Sequence, residues 1–161
     1  MKGNAAVIER LNIALQLEIG AVNMYRLHAK RLDDLGFKGL AAKELEESAE
    51  EQDHADQLLE RILFLGGVPQ MGAGSLDNAG TDLISILKAD LAGEETAHAS
   101  YKESREVCER EGDYVTMKLF DGLIADEEGH IDFLETQLEL IETIGIQNYG
   151  MLNSAAANAS E

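Results

Sequence analysis

One pattern of acidic and imidazole side chains occurs twice in this chain, at a constant separation of 76 residues. Each copy contains an isolated glutamate followed later by a Glu-x-x-His pair. Residues three positions apart on an α-helix are offset by only about 60°, so the Glu and the His of a pair can reach one metal ion. The repeated set comprises Glu18, Glu51 and His54 in the first half and Glu94, Glu127 and His130 in the second. The chain is therefore expected to fold as two similar halves that share one polar centre.

Glycines and a single proline divide the chain into helical segments. Asn4 and Asp113 suit the N-terminal ends of the first and fourth segments, and Gly36 and Gly145 suit their C-terminal ends. The first segment carries Tyr25, which the 76-residue offset matches with another tyrosine in the third. The predicted helices span about 5–35, 40–65, 82–110 and 114–144, followed by a short C-terminal segment and a flexible tail within 146–161.

The lengths of the links predict the topology. The links at 36–39 and 112–113 are so short that they can join only antiparallel neighbours. The link at 67–80 can extend to roughly 46–50 Å, whereas a helix of its neighbours' size is roughly 39 Å long. It can therefore cross the whole bundle and make the second and third helices parallel. These features predict an all-α, ferritin-like four-helix bundle in one domain, residues 1–161.

Charge and composition exclude several classes of protein. The net charge of −18 argues against unaided binding of nucleic acid. The one cysteine, Cys108, cannot form an internal disulfide, and the longest apolar run, Ile62 to Val68, is too short to span a bilayer. The N-terminus shows no signal-peptide pattern. We expect a cytoplasmic protein with no membrane or nucleic-acid partner.

Four carboxylates that converge in a helical core require compensating charge. Without metal, some of them should be protonated, whereas two divalent cations would cancel all four charges. Oxygen and imidazole ligands without thiolate suit iron or manganese, and a redox function favours iron. Tyr25 and Tyr101 each follow the isolated glutamate of their half by seven residues, so they should lie beside the centre. His28 and His98 have no repeated counterpart and are expected to be packing or surface residues.

Four short segments give this sequence its resemblance to the bacterioferritins. They are Met1-Lys2-Gly3, the run from Glu51-x-x-His54-Ala55-Asp56 into Arg61-Ile62-Leu63-Phe64-Leu65, the block Asp126 to His130, and Phe133-Leu134-Glu135-Thr136-Gln137. The resemblance covers roughly residues 1–150. It implies a 24-subunit shell that oxidises Fe(II) with O2 or H2O2 at a di-iron ferroxidase centre in each subunit and stores ferric mineral. It also implies that the repeated set supplies the ligands, with Glu51 and Glu127 bridging, and that Tyr25 lies beside the centre as a catalytic residue.

The chain departs from the family pattern at the haem site. Bacterioferritins bind haem between two subunits through a Met after the first Glu-x-x-His glutamate, where this chain has Gln52. Arg26 and Leu45 replace aromatic residues that are usual around that pocket. Haem binding is thus not expected from these residues, and the family's release of iron through a ferredoxin is put in question. Glu46 replaces a His that many relatives carry, but Glu46 and Glu50 together would still offer a carboxylate iron site.

Several functions remain open at this level. The shell is either a homo-oligomer or a mixed assembly in which this chain is a haem-free ferroxidase subunit beside a Met-bearing paralogue. A non-storage di-iron peroxidase or oxidase, similar to the rubrerythrins, is a further alternative, although the chain lacks the cysteine pairs of a rubredoxin-like site. A purely structural helical module would leave the repeated set without a purpose.

Overall fold

The computed structural model describes residues 1–154, which contain five helices and no β-strand. The helices are α1 (Ala5–Asp34), α2 (Lys38–Phe64), α3 (Leu83–Arg110), α4 (Tyr114–Ile144) and α5 (Ile146–Leu152). The four long helices agree with the predicted segments to within two residues at each end. The predicted short C-terminal segment is α5, and the part of the predicted tail from residue 155 onward lies outside the described residues. Within the described part, no helix combines the length and apolar character needed to cross a membrane.

Side-chain caps begin the helices where the sequence predicts them. The Asn4 side chain accepts a hydrogen bond from the Ala6 N–H at 2.8 Å, and the Asp113 side chain accepts one from the Thr116 N–H at 2.9 Å. These bonds satisfy N–H groups that have no partner within their own helix. Gly112, just after α3, has a φ of 72°, a left-handed conformation that glycine adopts without steric cost. The chain can therefore reverse within a few residues before α4.

The long link between α2 and α3 runs along α1. At one end, the Asn12 side chain donates to the Val68 carbonyl at 3.1 Å and accepts from the Gln70 N–H at 2.8 Å. At the other end, Arg31 donates to the Gly80 carbonyl at 2.5 Å. The two anchoring residues of α1 are separated by roughly 28 Å of helix. The link therefore crosses most of the bundle, and α2 and α3 are parallel as predicted.

Cross-links between the halves show that α1 is antiparallel to α3 and α2 is antiparallel to α4. In each pair, residues early in one helix contact residues late in the other. From α1 to α3 the hydrogen-bonded pairs are Arg10–Ser104, Glu18–Tyr101, Tyr25–Glu94 and His28–Asp90, and from α2 to α4 they are Glu50–His130, His54–Asp126 and Arg61–Thr116.

Two separate apolar clusters form the core. One includes Val7, Leu11, Leu15, Leu58, Ile62, Phe120 and Leu123, and the other includes Leu32, Leu40, Leu83, Ile86, Leu87, Leu134 and Tyr149. Burial of such side chains contributes roughly 1.5–3 kcal/mol each to folding. Because the clusters occupy opposite ends of the bundle, they hold the helices in place on both sides of a polar layer at its middle.

Asp113 offers a test of the tight α3–α4 turn, because it both caps α4 and pairs with Arg61 at 2.9 Å. The pairing and the cap lower the pKa of Asp113, although burial alone would raise it. We expect Asp113→Ala to lower the free energy of unfolding by about 1–2 kcal/mol. Urea unfolding followed by circular dichroism measures this change. Asp132→Ala, at an exposed position of the same helix, is the control; equal stability of the two variants would contradict the prediction.

Candidate metal centre

All six side chains of the repeated set lie in the polar layer between the two apolar clusters. Each of the four long helices contributes to the layer, α1 and α3 with one glutamate each and α2 and α4 with a Glu–His pair. Every member is buried, and His130 is the most accessible at 8% exposure. The layer consists of Glu18, Glu51, His54, Glu94, Glu127 and His130. The residues predicted from the sequence as ligands are thus neighbours in the fold.

The six residues form two overlapping groups of four. In each group, ligand atoms from all four residues lie within 4.8 Å of one another. The first group adds Glu18 and His54 to a shared pair of carboxylates, and the second adds Glu94 and His130 to the same pair. The shared residues are Glu51 and Glu127. Two carboxylates common to two sites are the arrangement in which bridging ligands hold two metal ions.

Several polar atoms of this layer are buried without a hydrogen-bond partner. They are Oε1 of Glu51, both carboxylate oxygens of Glu127 and Nδ1 of His130. Nδ1 of His130 lies 3.1 Å from Oε1 of Glu51, but the pair lacks hydrogen-bond geometry. Buried polar atoms normally have partners, and lone pairs that converge without one suit a cation. The donor set of oxygen and imidazole nitrogen therefore fits two Fe(II) or similar ions.

In the metal-free layer, bound protons offset the negative charge of the carboxylates. Burial raises the pKa of Glu94 to about 10 and the pKa of Glu18 well above its usual range, which favours the neutral form of both carboxyls. Burial alone would lower the pKa values of His54 and His130, but the carboxylates that surround each ring raise both. Burial would likewise raise the pKa of Glu51, but the two histidines beside it lower it below its usual range. These directions agree with the expectation that some carboxylates of a metal-free centre are protonated.

Two tyrosines connect the halves of the centre reciprocally. The Tyr25 hydroxyl donates to Oε1 of Glu94, and the Tyr101 hydroxyl donates to Oε1 of Glu18. The 76-residue offset exchanges one pair for the other, as it exchanges the ligands. Each tyrosine therefore orients the terminal carboxylate of the opposite half, that is, the carboxylate that belongs to only one of the two groups. The repeat in the sequence predicts that the tyrosines lie near the centre, but it does not predict these hydrogen bonds.

Two carboxylates that the sequence analysis did not assign to the centre contact its histidines. Asp126 lies 3.1 Å from Nε2 of His54, and Glu50 lies 3.0 Å from Nε2 of His130. The same offset of 76 relates Glu50 to Asp126, so the repeat held a signal for them. The sequence predicts that Glu50 pairs with Glu46 in a carboxylate site. Among the described residues, the group of possible ligands that contains Glu50 does not include Glu46. Glu50 belongs instead to a group with Glu47 and His130, because the three face one another across α2 and α4.

The residues that differ from the family's haem pocket lie on the surface of this chain. Gln52 is exposed, and its side-chain amide donates to Oδ1 of Asp56 at 3.0 Å. Arg26 is exposed as well, and Leu45 is 45% exposed. His98 lies outside the layer, 3.1 Å from the exposed Glu128. None of these side chains belongs to the six-residue layer.

A cavity of about 330 Å³ between α1 and α3 reaches the polar layer. Its walls are largely small or apolar, with Leu17, Ala21 and Met24 on α1 and Gly93 and Ala97 on α3. Glu18, Glu51, Glu94 and Glu127 of the polar layer also line it. A space of this size admits a small molecule such as dioxygen or peroxide to the layer.

Comparison with known proteins gives a consistent result. The ferritin-like domain family matches residues 8–144. The chain is 56% identical to a bacterioferritin of Brucella melitensis and 44% identical to one of Rhodobacter capsulatus, in both cases over the full length of both chains. A bacterial ferritin of Neisseria meningitidis is 41% identical over 92% of this chain and 97% of its own length.

A solved structure extends the agreement to three dimensions. The Rhodobacter capsulatus bacterioferritin superimposes with a TM-score of 0.97 at 44% identity, covering 99% of this chain and 100% of that one. That protein is described as having a metal-free dinuclear site and a haem iron. With its parallel second and third helices and its polar layer built from two repeated halves, this chain belongs to the bacterioferritin family.

Proposed function

We propose that this protein stores iron in the cytoplasm and oxidises Fe(II) to Fe(III) at a di-iron ferroxidase centre within each chain. The observation that carries the proposal is the pair of buried ligand groups that share Glu51 and Glu127. Two cations held on common carboxylates are close enough to deliver two electrons to one oxidant. The donor set of four carboxylates and two imidazoles is the one that helical di-iron carboxylate proteins use.

The side chains of the layer would exchange protons for iron. Two Fe(II) ions, as substrate, replace the protons on Glu18, Glu94, His54 and His130, and the layer keeps its overall neutrality. His54 and Glu18 then complete one site, and His130 and Glu94 complete the other. The oxidant, O2 or H2O2, reaches the pair through the cavity between α1 and α3. Tyr25, hydrogen-bonded to Glu94, would supply a further electron and proton to the oxidant and become a neutral tyrosyl radical.

Storage requires an assembly, and the surface of the single chain favours one. Large apolar side chains remain exposed, among them Phe64 at 55%, Val68 at 79% and Leu152 at 70%. In the proposed shell, neighbouring subunits would cover such side chains. We propose a shell of 24 copies, as the resemblance implies, in which the large negative charge attracts Fe(II).

The second candidate is a haem-free ferroxidase subunit in a mixed shell with a Met-bearing paralogue. Gln52 favours it, because an exposed amide held by Asp56 offers no thioether to haem iron. In a mixed shell, the paralogue would carry haem and the ferredoxin contact that releases iron. Native mass spectrometry of the cellular assembly distinguishes the candidates, because a single subunit mass would exclude the mixed shell.

The two terminal glutamates provide a direct test of the di-iron centre. We expect wild-type protein to bind two Fe(II) per chain in an anaerobic titration, and Glu18→Ala and Glu94→Ala to lose at least one of them. The reason is that each group has one carboxylate that the other group does not share, and each substitution removes that carboxylate from its group. Glu95→Ala, at the exposed neighbour of Glu94, should keep both ions. Unchanged stoichiometry in the two ligand variants would refute the centre.

Tyr25 and Tyr101 form a matched pair for testing the role of the tyrosines. Both Tyr→Phe variants remove one hydrogen bond to a terminal ligand while keeping the ring, so both should still bind two Fe(II). We expect Tyr25→Phe to slow Fe(II) oxidation by about 10-fold and Tyr101→Phe by clearly less. Stopped-flow absorbance after mixing with O2 measures the rates. Equal effects of the two substitutions would show that the tyrosines only orient carboxylates.

Gln52 can be tested by restoring a thioether. We expect purified wild-type shell incubated with haem to show no Soret band from ligated haem, and Gln52→Met to gain one, because a Met sulfur at this exposed position can ligate haem iron between two subunits. Gln57→Met, at another exposed glutamine of α2, is the control. A Soret band of equal intensity in all three proteins would show that haem uses another ligand.

A further inference from the structure

A second buried polar cluster lies beside the metal centre, toward one end of the bundle. It consists of His28 on α1, Glu44 on α2 and Asp90 on α3, none of which is more than 3% exposed. His28 follows Tyr25 by three residues and Asp90 precedes Glu94 by four, so the cluster adjoins the Tyr25–Glu94 side of the centre. Ligand-type atoms of its three residues lie within 4.8 Å of one another.

Hydrogen bonds decide the protonation of His28. The Gly80 backbone N–H donates to Nε2 at 2.9 Å, so Nε2 carries the lone pair and Nδ1 carries the hydrogen. Nδ1–H then donates to Oδ1 of Asp90 at 2.7 Å. Burial lowers the pKa of His28 to about 4, so the ring is neutral. Because both ring nitrogens are engaged in hydrogen bonds, neither is available to a cation in this arrangement.

The two carboxyl groups are left to share protons. Oδ2 of Asp90 and Oε2 of Glu44 are buried without hydrogen-bond partners. Burial raises the pKa of Asp90 to about 8 and that of Glu44 to about 10. The pair therefore holds at least one proton at neutral pH. The charged and titratable groups that face the cluster are Arg31 and Tyr25 of α1, Glu47 of α2 and Tyr149 of α5.

The other half of the molecule shows that packing does not require this cluster. The 76-residue offset relates His28 to Ser104, Glu44 to Phe120 and Asp90 to Ala14. All three counterparts are fully buried, and Phe120 packs against Tyr101 with ring centroids 5.9 Å apart. On the Tyr101 side, an aromatic ring and a methyl group thus occupy the positions of the two acids, and a hydrogen-bonded serine occupies the position of His28. Buried carboxyls are costly, and a cost that one half avoids points to a function.

We propose that Glu44 and Asp90, held in place by His28, store a proton that is delivered to the oxidant at the Tyr25–Glu94 side of the centre. This inference rests on the proposed ferroxidase function. With dioxygen, two Fe(II) supply two electrons, and O2 gains two electrons and two protons to become H2O2. With peroxide, the O–O bond breaks, and two electrons and two protons yield two waters. The acid pair supplies one of the two protons, and solvent supplies the other. The pair is then reloaded from solvent.

Amide variants remove the stored proton with little change in shape. Glu44→Gln and Asp90→Asn resemble neutral carboxyls in size but cannot donate an acidic proton. Ser104→Ala, at the counterpart of His28, is the control on the opposite side. The measurements are anaerobic Fe(II) binding, stopped-flow oxidation in H2O and in D2O, and infrared spectroscopy of the metal-free shell for the carbonyl stretch of protonated carboxyls.

We expect all proteins to bind two Fe(II) per chain. Oxidation should slow on the order of 10²-fold in Glu44→Gln and Asp90→Asn, with a larger solvent isotope effect, because proton delivery becomes limiting. Ser104→Ala should match wild type. The infrared band should be weaker in both amide variants.

Three outcomes would overturn the proposal. The first is that the amide variants keep wild-type rates and isotope effects. The second is that they lose Fe(II) binding in parallel with the rate, which would show that the cluster has only a structural role. The third is that neither substitution changes the infrared band. If wild type itself fails to oxidise Fe(II), the ferroxidase function falls first, and the infrared comparison still decides whether the acid pair holds a proton.

Discussion

Four carboxylates brought together inside an apolar bundle are the constraint on which the rest of this structure depends. Such a group is unstable unless positive charge matches it. Burial raises the pKa values of Glu18 and Glu94, which favours two neutral carboxyls. The surrounding carboxylates raise the pKa values of His54 and His130, which favours two imidazolium ions beside the ionised Glu51 and Glu127. Two divalent ions bound by four carboxylates and two neutral imidazoles are neutral as well. The layer therefore exchanges protons for metal without a change in net charge, which lets the same packing serve both states.

The fold supplies the rigidity that this exchange requires. Apolar clusters at both ends of the bundle fix the four helices, and the tyrosines tie each terminal carboxylate to the opposite half. Asn12 and Arg31 hold the crossover against α1, which keeps α2 and α3 parallel. A centre held in this way needs little rearrangement when cations enter, and preorganised ligands are what rapid metal chemistry demands.

The sequence predicted most of the fold because its signals were local. Caps such as Asn4 and Asp113, and the lengths of three links, were sufficient for the helices and their directions. The repeated set predicted which six residues would meet, since helix periodicity and an internal offset together restrict their positions. The contacts of Glu50 and Asp126 with the histidines, and the cluster around His28, depend on which helices face each other at a given height. The spacing of residues in the sequence does not show which helices face each other at a given height. From the sequence alone, His28 is therefore expected to be only a packing or surface residue.

The difference between the two halves is as informative as their similarity. The six side chains of the polar layer and the two tyrosines obey the internal repeat, so the two groups of four offer the same kinds of donor atom. The next residues outward do not obey it, because acids flank Tyr25 where an aromatic ring flanks Tyr101. In the proposed reaction, both irons would supply electrons alike, but the stored proton would reach the oxidant from the Tyr25 side only. The proton supply thus distinguishes two otherwise equivalent tyrosines, and it accounts for a buried acid pair that stability alone would have replaced with apolar side chains.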